Sequence, residues 1–260
     1  MLAEASTDFD TFTKQTYRLT IANLKSRYRK TIAGLFWVIF NPIIMFGVQS
    51  LIFGKILKIG VPNYYLFLVG GLLPWLFIVQ ALEMCTPLIQ FSGQLLKAFP
   101  VHPLVYLSAQ LIDNFTNFLI AFCVIFLPLA YYDAGPAARF LLLPLPLITL
   151  VGGVLGMAWL LSTAQVFLRD TRFVTTFILN VSFFLTPVFY PLEFVPEEFR
   201  WMAALNPFYI LIAPIQACLS NFEPEIFWYR LAKAAALAAV LLVTAAVVWR
   251  KKRNDIYFHV

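Results

Sequence analysis

The reading turns on Ser182–Leu219, SFFLTPVFYPLEFVPEEFRWMAALNPFYILIAPIQACL. It is too apolar for a solvated loop. It is also too broken for one straight membrane-crossing helix, because Pro187, Pro191, Pro196, Pro207 and Pro214 each remove an N–H donor. Backbone interrupted in this way persists at membrane depth only where it is buried in protein or lines a cavity. The segment therefore points to a membrane protein with an entrance or exit structure on one face, and to passage of something across the bilayer.

The rest of the chain agrees. Of its 260 residues, 61% are hydrophobic and 12% charged, against roughly 25% charged in soluble domains. Several uncharged runs reach the roughly 20 residues needed to cross a bilayer. No polar linker divides the sequence, so a single domain of polytopic helices is expected. The pI near 9.3 does not call for nucleic acid, since the basic residues sit beside the apolar runs, where membrane topology explains them. Cys85, Cys123 and Cys218 lack CxxC or metal-ligand spacing and read as small core residues. The first ten residues, MLAEASTDFD, are acidic and lack the basic-then-apolar order of a cleavable signal peptide, so insertion is expected to come from the spans.

Residues 9–30 come first. Tyr17, Ile21, Leu24 and Tyr28 recur at helical spacing beside a basic stripe of Lys14, Arg18, Lys25 and Arg29. That pairing suits a helix lying in the headgroup plane of an anionic membrane; a solvated juxtamembrane helix is the alternative. Six spans are expected near Leu35–Phe53, Tyr64–Leu82, Leu104–Tyr131, Phe140–Leu168, Phe173–Tyr190 and Ala232–Trp249. The proline-broken segment falls between the fifth and sixth, as two short helices split near Asn206-Pro207. The chain thus divides into the interfacial helix (9–30), a cytoplasmic connection (91–103), an outer re-entrant segment (191–225) and a terminal tail (250–260).

Orientation follows from the cations. With both termini inside, all of the 19 Lys and Arg lie on the cytoplasmic side except Lys55, Lys58, Arg139, Arg200, Arg230 and Lys233. This is a positive-inside bias. Glu193, Glu197, Glu198, Glu223 and Glu225 then fall outside, with the broken segment.

Little in the chain suits catalysis. His102 and His259 belong to no nucleophile or metal constellation. Gly54-Lys55 is followed by Ile56, so no phosphate-binding GxxxxGK[ST] loop exists. If ATP powers this protein, another chain hydrolyses it. Glu83 and Asp113 lie at the end of the second span and within the third. Intramembrane acids are functional candidates, although each could equally be satisfied near a helix end, and neither has a basic partner in a recognisable relay. Aromatic residues are 17% of the chain, and most fit the interfacial belts that anchor spans. Phe183, Phe184, Phe189, Tyr190, Trp201, Phe208 and Tyr209 are the candidates for lining a pathway, since rings offer flat apolar faces on which sugars can stack and slide. The connection between spans two and three, FSGQLLKAFPVHPL, places Leu95, Leu96 and Phe99 on one face of a short helix stopped by Pro100 and Pro103. Such a helix can dock in another protein's groove, or be a connecting turn resting on the bilayer.

Taken in order along the chain, Arg27-Tyr28-Arg29, Gly34-Leu35-Phe36-Trp37, Asn41-Pro42, Gly71-Leu72-Leu73-Pro74-Trp75, Leu96-Lys97, Phe99-Pro100, Arg169-Asp170, Thr186-Pro187, Tyr190-Pro191, Val195-Pro196, Arg200-Trp201 and Leu205-Asn206-Pro207 resemble the permease subunit of type-2 ABC exporters of the O-antigen, capsular polysaccharide and teichoic acid group. The resemblance implies an all-α polytopic protein with six transmembrane helices, an N-terminal amphipathic helix and two re-entrant helices. It implies a homodimer in the bacterial cytoplasmic (inner) membrane with both termini cytoplasmic. Two copies of a separate ATPase would carry ATP and Mg²⁺, leaving this chain without a cofactor, and the cargo would be a lipid-linked polysaccharide. Gln94, Leu95, Leu96, Lys97 and Phe99 would form the helix that couples to the ATPase. Tyr17, Arg18, Lys25, Arg27, Tyr28 and Arg29 would belong to the gate helix. Ala98 and His102 stand where the family often carries basic residues. Two other readings remain: the same permease fold moving a lipid or drug, and an integral membrane glycosyl- or acyltransferase using Glu193, Glu197 or Glu198. The setting of these acids in PLEFVPEEFRW looks more like a helix start, where the dipole favours negative charge.

Overall fold

The computed structural model describes residues 9–29, 34–93, 101–132, 137–220 and 222–259. Among these the chain is helical and contains no strand. Helix α1 spans Phe9–Arg29 and α2 spans Gly34–Gln49, running on as a π-helical stretch Ser50–Ile56. A turn with left-handed backbone at Lys58 (φ 48°) and Asn63 (φ 52°) leads into α3, Tyr64–Cys85, extended by a single turn Leu88–Phe91. Then come α4 (Pro103–Tyr132), α5 (Pro144–Phe167), α6 (Thr171–Leu185), α7 (Arg200–Leu205), α8 (Pro207–Leu219) and α9 (Pro224–His259).

Five of these stretches are long and apolar enough to cross a membrane: Phe36–Ile56, Tyr64–Phe91, Pro103–Tyr132, Ala138–Phe167 and Pro224–Arg253. The fifth expected span departs from its sequence reading. Helix α6 stops at Leu185 rather than Tyr190, after 15 residues. The cause is local, because the residue before a proline is pushed out of the helical region. Thr186, ahead of Pro187, is extended at φ −96°, ψ 127°. At 1.5 Å per residue α6 covers about 22 Å, and residues 186–190 continue as bent, non-helical chain. The sixth span starts at Pro224 rather than Ala232, with proline in the first helical turn and Glu225 beside it.

The bundle is built around α3. It touches α2, α4, α5, α6 and α8, and 78% of its most apolar stretch is buried, against 0% for α2. Small residues set the closest approaches. A Cβ at Gly156 of α5 would lie 2.8 Å from Leu241 Cβ and 2.9 Å from the Leu241 carbonyl carbon, so α5 and α9 meet backbone to side chain. Consecutive spans alternate in direction, which puts α1 and the end of α9 at one end of the bundle. The segment between α6 and α9 lies at the other.

Candidate functional site

The segment between α6 and α9 folds into an elbow. Two helical stretches, Glu197–Leu205 and Pro207–Leu219, meet at 96°, and Asn206 is the corner. Its side-chain oxygen accepts from the backbone N–H groups of Phe208 (2.9 Å) and Tyr209 (3.3 Å), answering donors that every helix N-terminus leaves free. Its amide donates to Thr186 Oγ1 at 2.8 Å, tying the corner to the end of α6. Pro207 at the first helical position needs no donor there.

From this corner α8 runs into the bundle, and Leu211 through Ser220 are all buried. The carbonyls left over by the proline-broken chain are met by side chains. Gln216, 1% exposed, donates to the carbonyls of Pro187 (3.0 Å) and Val188 (3.3 Å). The hydroxyl of Tyr64 donates to the Phe189 carbonyl at 3.0 Å. The approach is so close that a Cβ at Gly71 would collide with the Val188 carbonyl oxygen and sit 2.6 Å from the Gln216 amide nitrogen. At the other side, buried Arg139 donates to the Ser220 carbonyl at 3.1 Å and lies over the Phe140 ring.

The aromatic candidates divide into three groups. Phe183, Phe189 and Phe208 pack into a cluster: Trp75 lies 5.7 Å from Phe183 and 5.6 Å from Phe208, and Phe53 stacks on Phe189 at 4.4 Å between ring centres. Phe184 and Trp201 face outward, 71% and 61% exposed. Tyr190 is half-buried, its hydroxyl on the Phe184 carbonyl at 3.0 Å, and Tyr209 is buried against Ala203, Ala213 and Leu192. Within one chain the elbow therefore brings together a packed frame, not an open row of rings.

The opposite end holds charge. Arg27, near the C-terminus of α1, pairs with Asp113 of α4 at 2.5 Å, and Asp113 is 1% exposed. Arg27 also donates to Asn114 Oδ1 at 3.3 Å, and Gln110 donates to Asp113 and Asn114 at 3.4 Å. This corrects the expectation that Asp113 has no basic partner; Glu83 stays exposed. Helix α1 packs along α4 with Thr16 and Thr20 buried, so its seam toward α4 includes polar groups, while Tyr17 of the apolar stripe is 66% exposed. Arg18 and Lys25 are exposed, and Tyr28 and Arg29 end the same helix. Spacing alone held a signal: Thr16, Thr20, Asn23 and Arg27 repeat every three or four residues.

Two polar groups that sequence reasoning passed over sit nearby. Gln165, 4% exposed, donates to Gln90 (2.9 Å) and the Arg169 carbonyl (3.0 Å) and accepts from the Arg172 N–H (2.8 Å). It locks the α5–α6 turn to the end of the α3 span. His102 accepts from the Leu104 N–H at 3.1 Å and packs its ring 5.6 Å from Trp249. Burial holds its imidazole below the usual pKa of 6.5. The proposed coupling residues Gln94, Leu95, Leu96, Lys97 and Phe99 lie outside the described residues.

The bundle carries a proline-broken elbow at one end and helix α1, paired to α4 through Arg27–Asp113, at the other, and comparison with known proteins places it. The chain belongs to the ABC-2 type transporter family, whose pattern matches residues 14–219. It is 28% identical over 239 residues to the O-antigen export system permease protein RfbA of Myxococcus xanthus, covering 89% of this chain and 90% of that protein. Two Klebsiella pneumoniae proteins of the same name are 31% and 30% identical over 193 residues, 73% of each chain. The protein is thus the membrane subunit of an ABC transporter, not an enzyme, and its family works with an ATPase partner.

Proposed function

We propose that this chain is the transmembrane subunit of an ATP-driven exporter that moves a lipid-linked cell-surface polysaccharide outward across the bacterial inner membrane. One observation carries the reading: the likeness to permeases named for O-antigen export spans most of this chain and includes the elbow. The protein works as a homodimer with two ATPase copies, which bind ATP and Mg²⁺. The stretch Phe36–Ile56, none of whose residues is buried, and the outward Phe173, Phe177 and Phe184 of α6 support a second copy, since they leave apolar surface for a partner and for lipid. The cation distribution supports cytoplasmic termini and an elbow on the outer face.

In this reading Gln94–Phe99 contacts the ATPase and α1, held to α4 by Arg27–Asp113, is the gate helix. Phe184, Tyr190 and Trp201 are the rings free to meet glycan, while Phe183, Phe189, Phe208 and Tyr209 frame the mouth. ATP-driven closure of the ATPase pair shifts the coupling helices and favours the state with an open path. The shift is limited by the difference in contacts between the two states.

The test is to purify the chain with its co-encoded ATPase and to measure surface polysaccharide in cells lacking the chain. A stable complex whose ATPase activity depends on Leu96 and Phe99, with glycan retained inside deleted cells, is the expected result. No complex, or unchanged surface glycan, overturns the reading.

A further inference from the structure

The inner angle of the elbow encloses a cavity of about 350 Å³ lined by Leu192, Ala204, Tyr209, Ile210, Ala213, Ile226, Tyr229, Arg230 and Lys233. Its deep wall is made of buried Tyr209 and Ala213, and its rim carries the exposed Ile226, Tyr229 and Lys233. The volume falls at the small end of ligand pockets, and the mixture of an apolar wall with a few polar groups is what such pockets share.

The cations are placed together. Arg230 and Lys233 lie three residues apart on α9, hence on one helical face. They lie about 9 Å and about 14 Å along the helix from Pro224, in the part of α9 beside the elbow. Cations beside an apolar helix flank suit anionic headgroups. Neither forms an ion pair among the described residues; Lys233 rests over the Tyr229 ring at 5.6 Å. Tyr209 is 7% exposed, and its hydroxyl makes no hydrogen bond among the described residues. Arg230 and Glu193 are the charges that act on that hydroxyl. Two cations against one exposed carboxylate leave the cavity net positive, with a buried donor at its wall.

We infer that this cavity binds the phosphate group of an anionic membrane lipid. Arg230 and Lys233 supply charge-assisted donors, and the Tyr209 hydroxyl supplies a neutral one. The acyl chains run out past Ile210 and Ile226 along the apolar flank of α9. The lipid would brace the inner angle of the elbow and hold α7 and α8 against α9. The inference depends only on the cavity and is independent of the cargo.

The experiment titrates the delipidated full-length chain in neutral detergent with phosphatidylglycerol, phosphatidylcholine or inorganic phosphate. Bound molecules are counted by native mass spectrometry and thermal unfolding is followed in parallel. The expected result is one phosphatidylglycerol per chain that raises the unfolding temperature. Its affinity should fall about tenfold or more in Arg230→Gln/Lys233→Gln and stay unchanged in Arg250→Gln/Lys251→Gln, at the far end of α9. Ile226→Trp, at a rim residue already 40% exposed, should weaken binding with both charges in place, and it decides the matter if the double variant does not fold. Equal binding of phosphatidylglycerol by the wild type and both cavity variants overturns the site. Equal binding of phosphatidylcholine overturns its selectivity for anionic lipid. Full stabilisation by inorganic phosphate, lost in the double variant, overturns the lipid as the source of the phosphate.

Discussion

The elbow and the α1–α4 seam are both polar structures inside an apolar bundle, and they are built on opposite principles. In the elbow the groups that meet at the Asn206 corner and around Gln216 are neutral. Gln216, Tyr64, Asn206 and Thr186 each answer a backbone group or one another, and the run Leu211 to Ser220 is buried without a break. In the seam a full ion pair, Arg27–Asp113, stands among groups left over: Asp113 Oδ1, Asn114 Nδ2, Gln15 Oε1 and Thr16 Oγ1 are buried with no hydrogen-bond partner among the described residues. A neutral network with its donors and acceptors matched fixes one geometry. A buried charged pair with unmatched neighbours rests mainly on its own ion contact, so loss of one partner is felt strongly.

The comparison can be broken most sharply at Arg27. Arg27→Ala leaves the Asp113 carboxylate buried without its cation, with only the Gln110 amide beside it, which costs about 3–5 kcal/mol. Thermal unfolding in detergent should show a large drop, and Arg27→Leu/Asp113→Leu should recover most of it. If the single variant is as stable as the wild type, the seam is not the contact that holds α1.

Next is Gly71→Leu, which tests the elbow from behind. The added side chain meets the Val188 carbonyl and the Gln216 amide, atoms fixed by the elbow's own hydrogen bonds, so about 3 kcal/mol of strain is expected. Wild-type unfolding temperature in this variant would mean the elbow yields. Asn206→Ala removes the corner cap and the tie to Thr186, for about 0.5–2 kcal/mol. If the elbow is the mouth proposed above, export should fall by more than stability does; equal falls would make Asn206 a purely structural cap.

The smallest effect is at His102. Its folded pKa lies below the unfolded value of 6.5 because burial disfavours the cation. Below that value the unfolded chain binds more protons than the folded one, so this contribution is complete above about pH 6.5 and declines as pH falls from there towards the lowered folded pKa. His102→Gln should flatten the stability profile in that window. An unaltered slope would show that other groups titrate there.

What could be read from the chain depended on whether the signal was local. Apolar runs gave the spans because roughly 20 residues must cover the hydrocarbon. Asn206-Pro207 gave the break because proline and an N-cap residue are local punctuation. The end of α6 was misplaced by five residues: Phe189 and Tyr190 are apolar enough to continue a span, while the constraint came from Pro187 acting on Thr186. The seam of α1 on α4 was not legible for a different reason. An amphipathic pattern assigns a stripe to the membrane but does not name what the remaining face meets, and the pairing of Arg27 depends on Asp113, 86 residues away.

The sequence by itself therefore determined the class of protein, the rough limits of five of its spans, and the corner of its elbow, because these follow from hydropathy, length and the missing donors of proline. The tertiary structure alone decided which carbonyls Gln216 and Tyr64 answer, that Phe183, Phe189 and Phe208 are framework, and that Asp113 is held by Arg27. Those pairings join residues far apart in the chain, and only the packed bundle brings them within hydrogen-bond distance.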